Sequence, residues 1–358
     1  MTTLSLIIPC FNEQETLKLC VSKVLQLKSD TLALEIIIVD DCSVDGSLKV
    51  AEALAARYPE VKVARHEKNM GKGAALRTGF LQATGDVIGI QDADDEYNPL
   101  EYNKLLAPIL DGRADVVFGS RYLRPETRRV LYFWHTQMNR FLTFFSNMFT
   151  DLGITDMETC YKLFKREIIQ NIAPRLKENR FGFEPEVTAL VAASKCRVYE
   201  CAISYNPRTY EEGKKIGWKD GVRALYCIMH YGAHRAPVPM QLLIYFFIGL
   251  ISAISNIIVF SVVCGKLSLI NAVTLSFVAS TLLNYILCVL ILFRHKSRWT
   301  APKEFLVYGL CVCVMWGIDY GSTVAFLQAG LSPVFAKSLA ALLGFAGNFI
   351  LRKYIVFK

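Results

Sequence analysis

Acidic residues are almost missing from the last third of this 358-residue chain. From residue 240 onward only Glu304 and Asp319 oppose nine lysines and arginines, so this stretch holds +7 of the net charge of +8. The cations flank apolar runs instead of covering a polar surface. Membrane topology accounts for that pattern, and a nucleic-acid partner is not expected. Eleven cysteines are present, but none form a Cys-x-x-Cys pair. That argues against a zinc ribbon or a redox dithiol and predicts reduced, mostly buried thiols. Cys311 and Cys313 fall in an apolar helix and read as packing residues. Heptads, tandem repeats and low-complexity tracts are lacking, as is a signal peptide. Leu4–Pro9 reads as a first strand, so the N-terminal part is expected to stay in the cytosol. Histidines are few, and His66, His135, His230 and His234 have no carboxylate partner legible in the sequence.

What is abundant is apolar residue, 53% of the chain, and it is unevenly spread. Residues 1–231 have ordinary globular composition, 232–239 with two prolines read as a linker, and 240–358 are nearly continuously apolar. Four runs in the last part, about Gln241–Val263, Ile270–Phe293, Phe305–Leu327 and Pro333–Leu351, each approach the ~20 residues that span a bilayer as a helix. The loop Arg294–Lys303 and the tail Arg352–Lys358 are basic, which places both termini and the middle loop in the cytosol. Asp319 and Lys337 are expected to pair between the third and fourth helices, since lone charges there are costly.

The first part alternates strand and helix patterns. Leu4–Ile8, Glu35–Val39, Val61–Ala64 and Asp86–Gln91 are short apolar runs, and helical periodicity follows in Glu13–Leu27, Ser43–Tyr58 and Lys72–Ala83. Such alternation predicts an α/β domain with a mainly parallel, covered sheet, whose ligands sit beyond the carboxyl ends of the strands. Over residues 126–150, Trp134, Met138, Phe141 and Phe145 recur at helical spacing beside a polar track of His135, Asn139, Thr143 and Asn147. This reads as an amphipathic helix lying in the membrane interface, the alternative being a core-facing helix of the first part.

Acids gather at the predicted strand ends. Asp92-Ala93-Asp94 follows the fourth strand, with Glu96 beyond it. Two carboxylates spaced i, i+2 can share one hard divalent cation such as Mg²⁺ or Mn²⁺ and leave positions open for phosphates. Pro9-Cys10-Phe11-Asn12-Glu13 follows the first strand and Asp40-Asp41-Cys42-Ser43-Val44-Asp45-Gly46 the second. Carboxylates there can accept hydrogen bonds from a base or a ribose, while Ser43 or Asp45 can cap the next helix. Gly71-Lys72-Gly73-Ala74-Ala75-Leu76 lacks the third glycine of a dinucleotide fingerprint. Its glycines are expected to let the chain come close to a ligand.

Taken in order, these motifs and Gly119-Ser120-Arg121-Tyr122 resemble the family 2 glycosyltransferases over most of residues 4–225. The branch they are most similar to is the dolichyl-phosphate mannose synthase-like and bacterial polyprenyl-phosphate group. The membrane half, ending in Gly347-Asn348-Phe349 through Val356-Phe357, resembles the GtrA-like four-helix family. The resemblance implies a GT-A (Rossmann-like) domain followed by a four-helix transmembrane domain. It implies that Pro9, Phe11, Glu13, Asp40, Asp41 and Gly73 hold the nucleotide and that Asp92, Asp94 and Glu96 hold the metal. Arg121 would face phosphates, and Asn139 and Arg140 would approach the acceptor. Asp156-Met157-Glu158-Thr159-Cys160-Tyr161-Lys162 resembles the acceptor-side segment, although mannose synthases commonly have Thr-Ser-Gly-Phe where this chain has Glu-Thr-Cys-Tyr. Arg208 with Lys214 and Lys215 would clamp phosphate.

The expected reaction is inverting transfer of a sugar from a nucleotide donor to a polyprenyl phosphate at the cytoplasmic face, for cell-surface glycan or glycoprotein synthesis. A lipid phosphate is anionic at neutral pH and needs no general base. Two other readings stand beside it. One has a saccharide hydroxyl as acceptor, with Glu184 or Asp156 as base. The other is a lipid-linked sugar translocase whose soluble half only binds. The sequence leaves the sugar, the nucleotide base and the oligomeric state open.

Overall fold

The computed structural model describes all residues except 124–128, 209–217, 264–265, 268, 294–300, 332–338, 340–342, 344–346 and 357–358. Lys214, Lys215 and Lys337 therefore lie outside the described residues, as does the side chain of Asp319. The chain divides into two compact units, Met1–Ala236 and Pro237–Lys358.

In the first unit, strands β1 (Thr2–Cys10), β2 (Leu32–Asp40), β3 (Val61–Arg65) and β4 (Val87–Ile90) pair in parallel. Their apolar residues do not alternate with polar ones, because helices cover both faces: Leu6, Ile7, Ile8 and Ile36–Ile38 are all fully buried. β5 (Val116–Ser120), β6 (Lys162–Lys165) and β7 (Val198–Ala202) complete a seven-stranded sheet of order β3-β2-β1-β4-β6-β5-β7. β6 runs antiparallel to both its neighbours. The order doubles back at β1, so a crevice opens beyond the carboxyl ends of β1 and β4, the expected place for a ligand.

The covering helices show why they fold. In α1 (Leu17–Leu25) the buried residues Leu17, Cys20, Val21 and Val24 are spaced i, i+3, i+4, i+7. α2 (Ser47–Arg57), α3 (Lys72–Gln82), α4 (Tyr102–Leu110), α6 (Arg166–Ile172), α7 (Phe183–Ala193) and α8 (Trp218–Gly232) follow strands or loops in turn. α5 (Phe133–Thr150) is amphipathic in an inverted sense. Its polar track turns inward: Thr143 accepts from the Met157 N–H (3.1 Å) and Asn147 donates to the Ile154 carbonyl (2.7 Å). Its aromatic track turns outward, with Trp134 79% exposed and Phe133, Met138, Phe141 and Phe144 exposed beside it.

The second unit is helical. α9 (Val238–Val263), α10 (Leu269–Leu287, continued by a π-helical turn to Phe293) and α11 (Ala301–Gln328) match the first three apolar runs, while the fourth lies largely outside the described residues. Among the described residues α9 is long and apolar enough to cross a bilayer, with mean hydropathy 2.4 over its most apolar window. Asn256 donates to Ser280 and Asn284 to Ser252, both at 3.1 Å, and such side-chain bonds tie α9 to α10 where no water competes. No disulfide joins the described cysteines, and Cys311 packs with Tyr245, Ile248, Cys288 and Tyr308.

Candidate active site

The site begins at the strand ends. After β1 the chain turns at Asn12 (φ 55°), and after β2 at Cys42 (φ 61°). The two loops interlock: the Asn12 N–H donates to Ser43 Oγ (3.1 Å), the Val44 N–H to Asn12 Oδ1 (2.9 Å) and the Glu13 N–H to Ser47 Oγ (2.8 Å). Ser43 thus ties loops together and does not cap α2, whereas Asp45 does accept from the Ser47 N–H at the start of that helix (2.9 Å). These two motifs and the turn after β4 line one cavity of about 390 Å³.

Asp41 stands on its wall. It accepts from the backbone N–H groups of Met70 (2.9 Å) and Gly71 (2.6 Å) and lies 2.7 Å from His66 Nδ1. His66 therefore does have a carboxylate partner, supplied by tertiary structure and invisible in the sequence. Asp40, in contrast, is fully buried outside the cavity lining. Its nearest cation is Arg65 at 3.9 Å, and its Oδ1 has no hydrogen-bond partner. Gly73 is also off the lining. A Cβ there would stand 2.4 Å from the Glu178 carbonyl oxygen, so its close approach is to the loop at residues 178–180.

Opposite Asp41 is the acidic turn. Lys72 Nζ lies 2.9 Å from Asp92 Oδ1. Burial, then the charges of Asp92 and Glu96, push the Asp94 carboxyl up to about 7. Arg208 spans the turn: its Nη2 donates to Glu13 Oε2 (2.7 Å), its Nε to the Asp94 carbonyl (3.1 Å) and its backbone N–H to Glu96 Oε1 (2.7 Å). Glu96 also accepts from the Tyr205 hydroxyl (2.7 Å), so both its oxygens are engaged. Beneath, Tyr97 stacks on Tyr161 with ring centroids 4.7 Å apart and fixes the turn against β6.

Arg121 lines the cavity, but its charge is already matched. Nε and Nη2 form a bidentate pair with Asp156 at 2.7 and 2.8 Å, and Asp156 is fully buried. The guanidinium lies 5.1 Å over the Tyr205 ring. Asp156, with both oxygens so held, is not placed to act as a free base. Asn139 and Arg140 stand off the cavity on α5, where Asn139 donates to the Tyr122 hydroxyl (3.0 Å) and Arg140 lies over that ring. The structure adds lining residues to which sequence reasoning assigned no role in the main reading: Lys72, Glu158, Arg180, Glu184 and Tyr205. Lys72 and Glu158 stood inside quoted motifs. Arg180 reaches the cavity only through loop packing.

Seven acids and four bases line the cavity among the described residues, so it is net acidic before any ligand binds. Two strand-end motifs and a two-carboxylate turn spanned by Arg208 thus share one cavity of an α/β domain. Comparison with known proteins identifies it further. Residues 5–173 match the model of glycosyl transferase family 2, and residues 244–357 that of the GtrA/DPMS transmembrane domain. The chain therefore carries an α/β region that matches family 2 glycosyl transferases, followed by a helical region that matches the GtrA/DPMS transmembrane domain.

It is similar to a dolichyl-phosphate beta-glucosyltransferase of Trichomonas vaginalis, 29% identical over 48% of this chain and 52% of that one. The dolichol-phosphate mannosyltransferase of Pyrococcus furiosus is 28% identical over 60% and 59%. The polyprenol monophosphomannose synthase of Mycolicibacterium smegmatis is 29% identical over 59% and 80%. The chain thus spans only 52% and 59% of the length of the first two. Among solved structures, glucosyl-3-phosphoglycerate synthase from Mycobacterium tuberculosis in complex with Mn²⁺, uridine diphosphate and glucosyl-3-phosphoglycerate aligns with TM-score 0.49 at 17% identity, over 66% of this chain and 81% of that one.

Proposed function

We propose that this chain transfers a glycosyl unit from a nucleoside-diphosphate sugar to a polyprenyl phosphate at the cytoplasmic face of a membrane. The observation that carries the reading is the convergence of Asp41, Glu13, Asp92 and Asp94 on one cavity in a chain that continues into a GtrA/DPMS domain. Relatives named for transfer to dolichyl or polyprenyl phosphate support the acceptor class.

A divalent cation fits the acidic turn. The raised Asp94 carboxyl marks an acid surplus that Lys72 alone does not offset. Among the described residues no group of three or more His, Cys, Asp or Glu side chains is arranged to hold a metal ion, so the protein would supply two ligands and not three. Asp92 and Asp94 would hold Mg²⁺ or Mn²⁺ by two hard oxygen ligands, leaving positions for the donor's phosphates. The ion would neutralise charge on the departing diphosphate. Pro9, Phe11, Glu13 and Asp41 form the side of the cavity that receives the nucleoside. Lys72 and Arg208 stand ready to exchange their carboxylate partners for phosphate oxygens. Arg121, held by Asp156, positions Tyr205 and the strap beyond β7. Glu96 acts on the same strap through Tyr205 and Arg208. The acceptor phosphate attacks in line without a general base, since its second pKa is about 6.

α5 fits the membrane interface. An outward row of aromatic side chains is what a lipid-facing helix presents, and a water-facing helix does not. Asn139 and Arg140 on the same helix would then approach the acceptor's headgroup.

Membranes carrying the chain, given a panel of nucleotide sugars with polyprenyl phosphate and Mg²⁺ or Mn²⁺, should yield a lipid-extractable phosphosugar. Asp92→Asn should lower that rate roughly 10²–10³-fold. Transfer only to a saccharide would move the acceptor assignment. An Asp92→Asn variant with full function would sink the enzymatic reading in favour of a translocase.

A further inference from the structure

A second cavity of the first unit, of about 340 Å³, shares no lining residue with the acidic one. Its apolar lining comes from Phe149 of α5 and from Ala189, Ala192 and Ala193 of α7. Three cations also line it, Arg175, Lys195 and Arg235, and no acid does. Arg175 and Lys195 are exposed and make no ion pair among the described residues. Tyr231 lines the cavity too. Its hydroxyl donates to Glu178 (3.0 Å), an acid already paired with Arg223 (2.8 Å), so Glu178 does not offset these cations.

Cations near helix ends often serve only the helices, and three helices close here: α5 at Thr150, α7 at Ala193 and α8 at Gly232. Each C-terminus carries roughly half a negative charge, so the three offset about half of three full cations. Nor do the closing carbonyls of α7 need those side chains. Leu190, Val191 and Ala192 accept from the backbone N–H groups of Ser194 and Lys195. At α5 the Asp151 N–H donates to the Asn147 carbonyl, and the Thr150 hydroxyl to that of Ser146. Net positive charge is left on the cavity's lining.

Chain connectivity says what that charge can meet. Arg235 precedes Val238, the first residue of α9, by three residues, and three extended residues reach at most about 11 Å. A helix that enters a bilayer at Val238 keeps Arg235 within reach of the headgroup layer. We propose that this cavity binds the phosphodiester of an anionic phospholipid, with its apolar lining against the glycerol and the first acyl carbons. An arginine can meet two phosphate oxygens at once, and Lys195 adds a point charge. A zwitterionic headgroup brings its own ammonium among three cations and is disfavoured. Such a site needs membrane attachment through α9 but no sugar transfer, so its failure leaves the reaction proposed above untouched.

Native mass spectrometry of the full chain, released from detergent after titration with phosphatidylglycerol or phosphatidylcholine, reads the site. The first phosphatidylglycerol should bind more tightly than later ones and more tightly than phosphatidylcholine. Arg175→Gln with Lys195→Gln should weaken that first lipid about twenty- to thirtyfold, at roughly fivefold per cation. Ala193→Phe, which fills the cavity and leaves its charge, should weaken it as well. Lys18→Gln with Lys49→Gln removes two exposed cations from α1 and α2 and should change it less than about twofold. Inorganic phosphate and glycerol 3-phosphate, added as competitors, should leave the lipid bound. A double variant at Arg175 and Lys195 with unchanged lipid affinity would overturn the site, and a lowered thermal midpoint beside it would assign the cations to the helix ends. An equal loss in the Lys18 and Lys49 variant, or none in Ala193→Phe, would reduce the effect to net charge and overturn the cavity. Displacement by either soluble phosphate would overturn the lipid as the occupant.

Discussion

Buried acids in the first unit serve opposite ends, and their partners decide which. Glu35 is a structural one. Burial alone would raise its pKa, but Lys62, Ser5 and Thr84 all bond to it and bring it down to about 2. A carboxyl lowered this way stabilises the fold above its ordinary range near 4.5, and that contribution is lost as pH falls toward 2. The difference corresponds to about 3 kcal/mol at neutral pH. Glu35→Gln should lower the thermal midpoint at pH 7, and the gap to the wild type should close progressively below pH ~4.5. A gap that stays constant with pH would mean that the charge of Glu35 is not what stabilises. Asp92 and Asp94 are the pair proposed to hold the cation; Asp92 meets Lys72 at 2.9 Å, and Asp94 is pushed up to about 7 by burial and the charges of Asp92 and Glu96. Sequence reasoning named both from their i, i+2 spacing after an apolar strand. It named Asp40 and Asp41 together, because two adjacent acids at a strand end look alike. Only the pleat separates them, sending Asp40 into the interior and Asp41 to the cavity wall.

Among the elements, α3 and α5 carry the most consequence. The start of α3 packs against the loop that carries Arg180: Ala74 N–H donates to the Asn179 carbonyl (3.1 Å), and Arg77 donates to Leu176 and Asn179. Gly73→Ala would force a Cβ into the Glu178 carbonyl and should cost about 1–3 kcal/mol of stability, read from thermal unfolding. A neutral outcome would show that the loop yields freely. For α5, helical spacing alone left the exposed face undecided. The polar track packs inward because Thr143 and Asn147 satisfy the backbone of residues 154–157. The interface assignment is tested by Trp134, left as the sole tryptophan of the full chain in liposomes. Brominated lipid should quench its fluorescence and aqueous iodide should not; the reverse would place the helix in water. β5 and β7 were missed as strands in the sequence, and the antiparallel β6 with them. Their pairing is non-local, and no local pattern announces it.

At the level of the whole molecule, the division near residue 236 follows composition: an even charge balance before it, apolar helices with basic loops after it. The positive-inside bias predicts that a single cysteine placed within residues 294–300 of a cysteine-free chain reacts with a membrane-impermeant maleimide only once the cytoplasmic face is opened. Labelling of intact cells would reverse the orientation. The acid surplus of the cavity belongs to this scale too, since it arises from segments scattered over nearly two hundred residues of chain, from Glu13 to Arg208.

By itself the sequence determined the α/β alternation, the membrane unit and the acid pair after β4, because runs of apolar residues and local spacing specify local structure. Tertiary structure alone decided which charges remain available to a ligand. Arg121 is consumed by Asp156, Asp41 is shared with His66, and one buried oxygen each of Glu158 and Glu184 is left without a hydrogen-bond partner. Electrostatic pairing depends on distance through space, and the chain brings those groups together only when the sheet and its loops close.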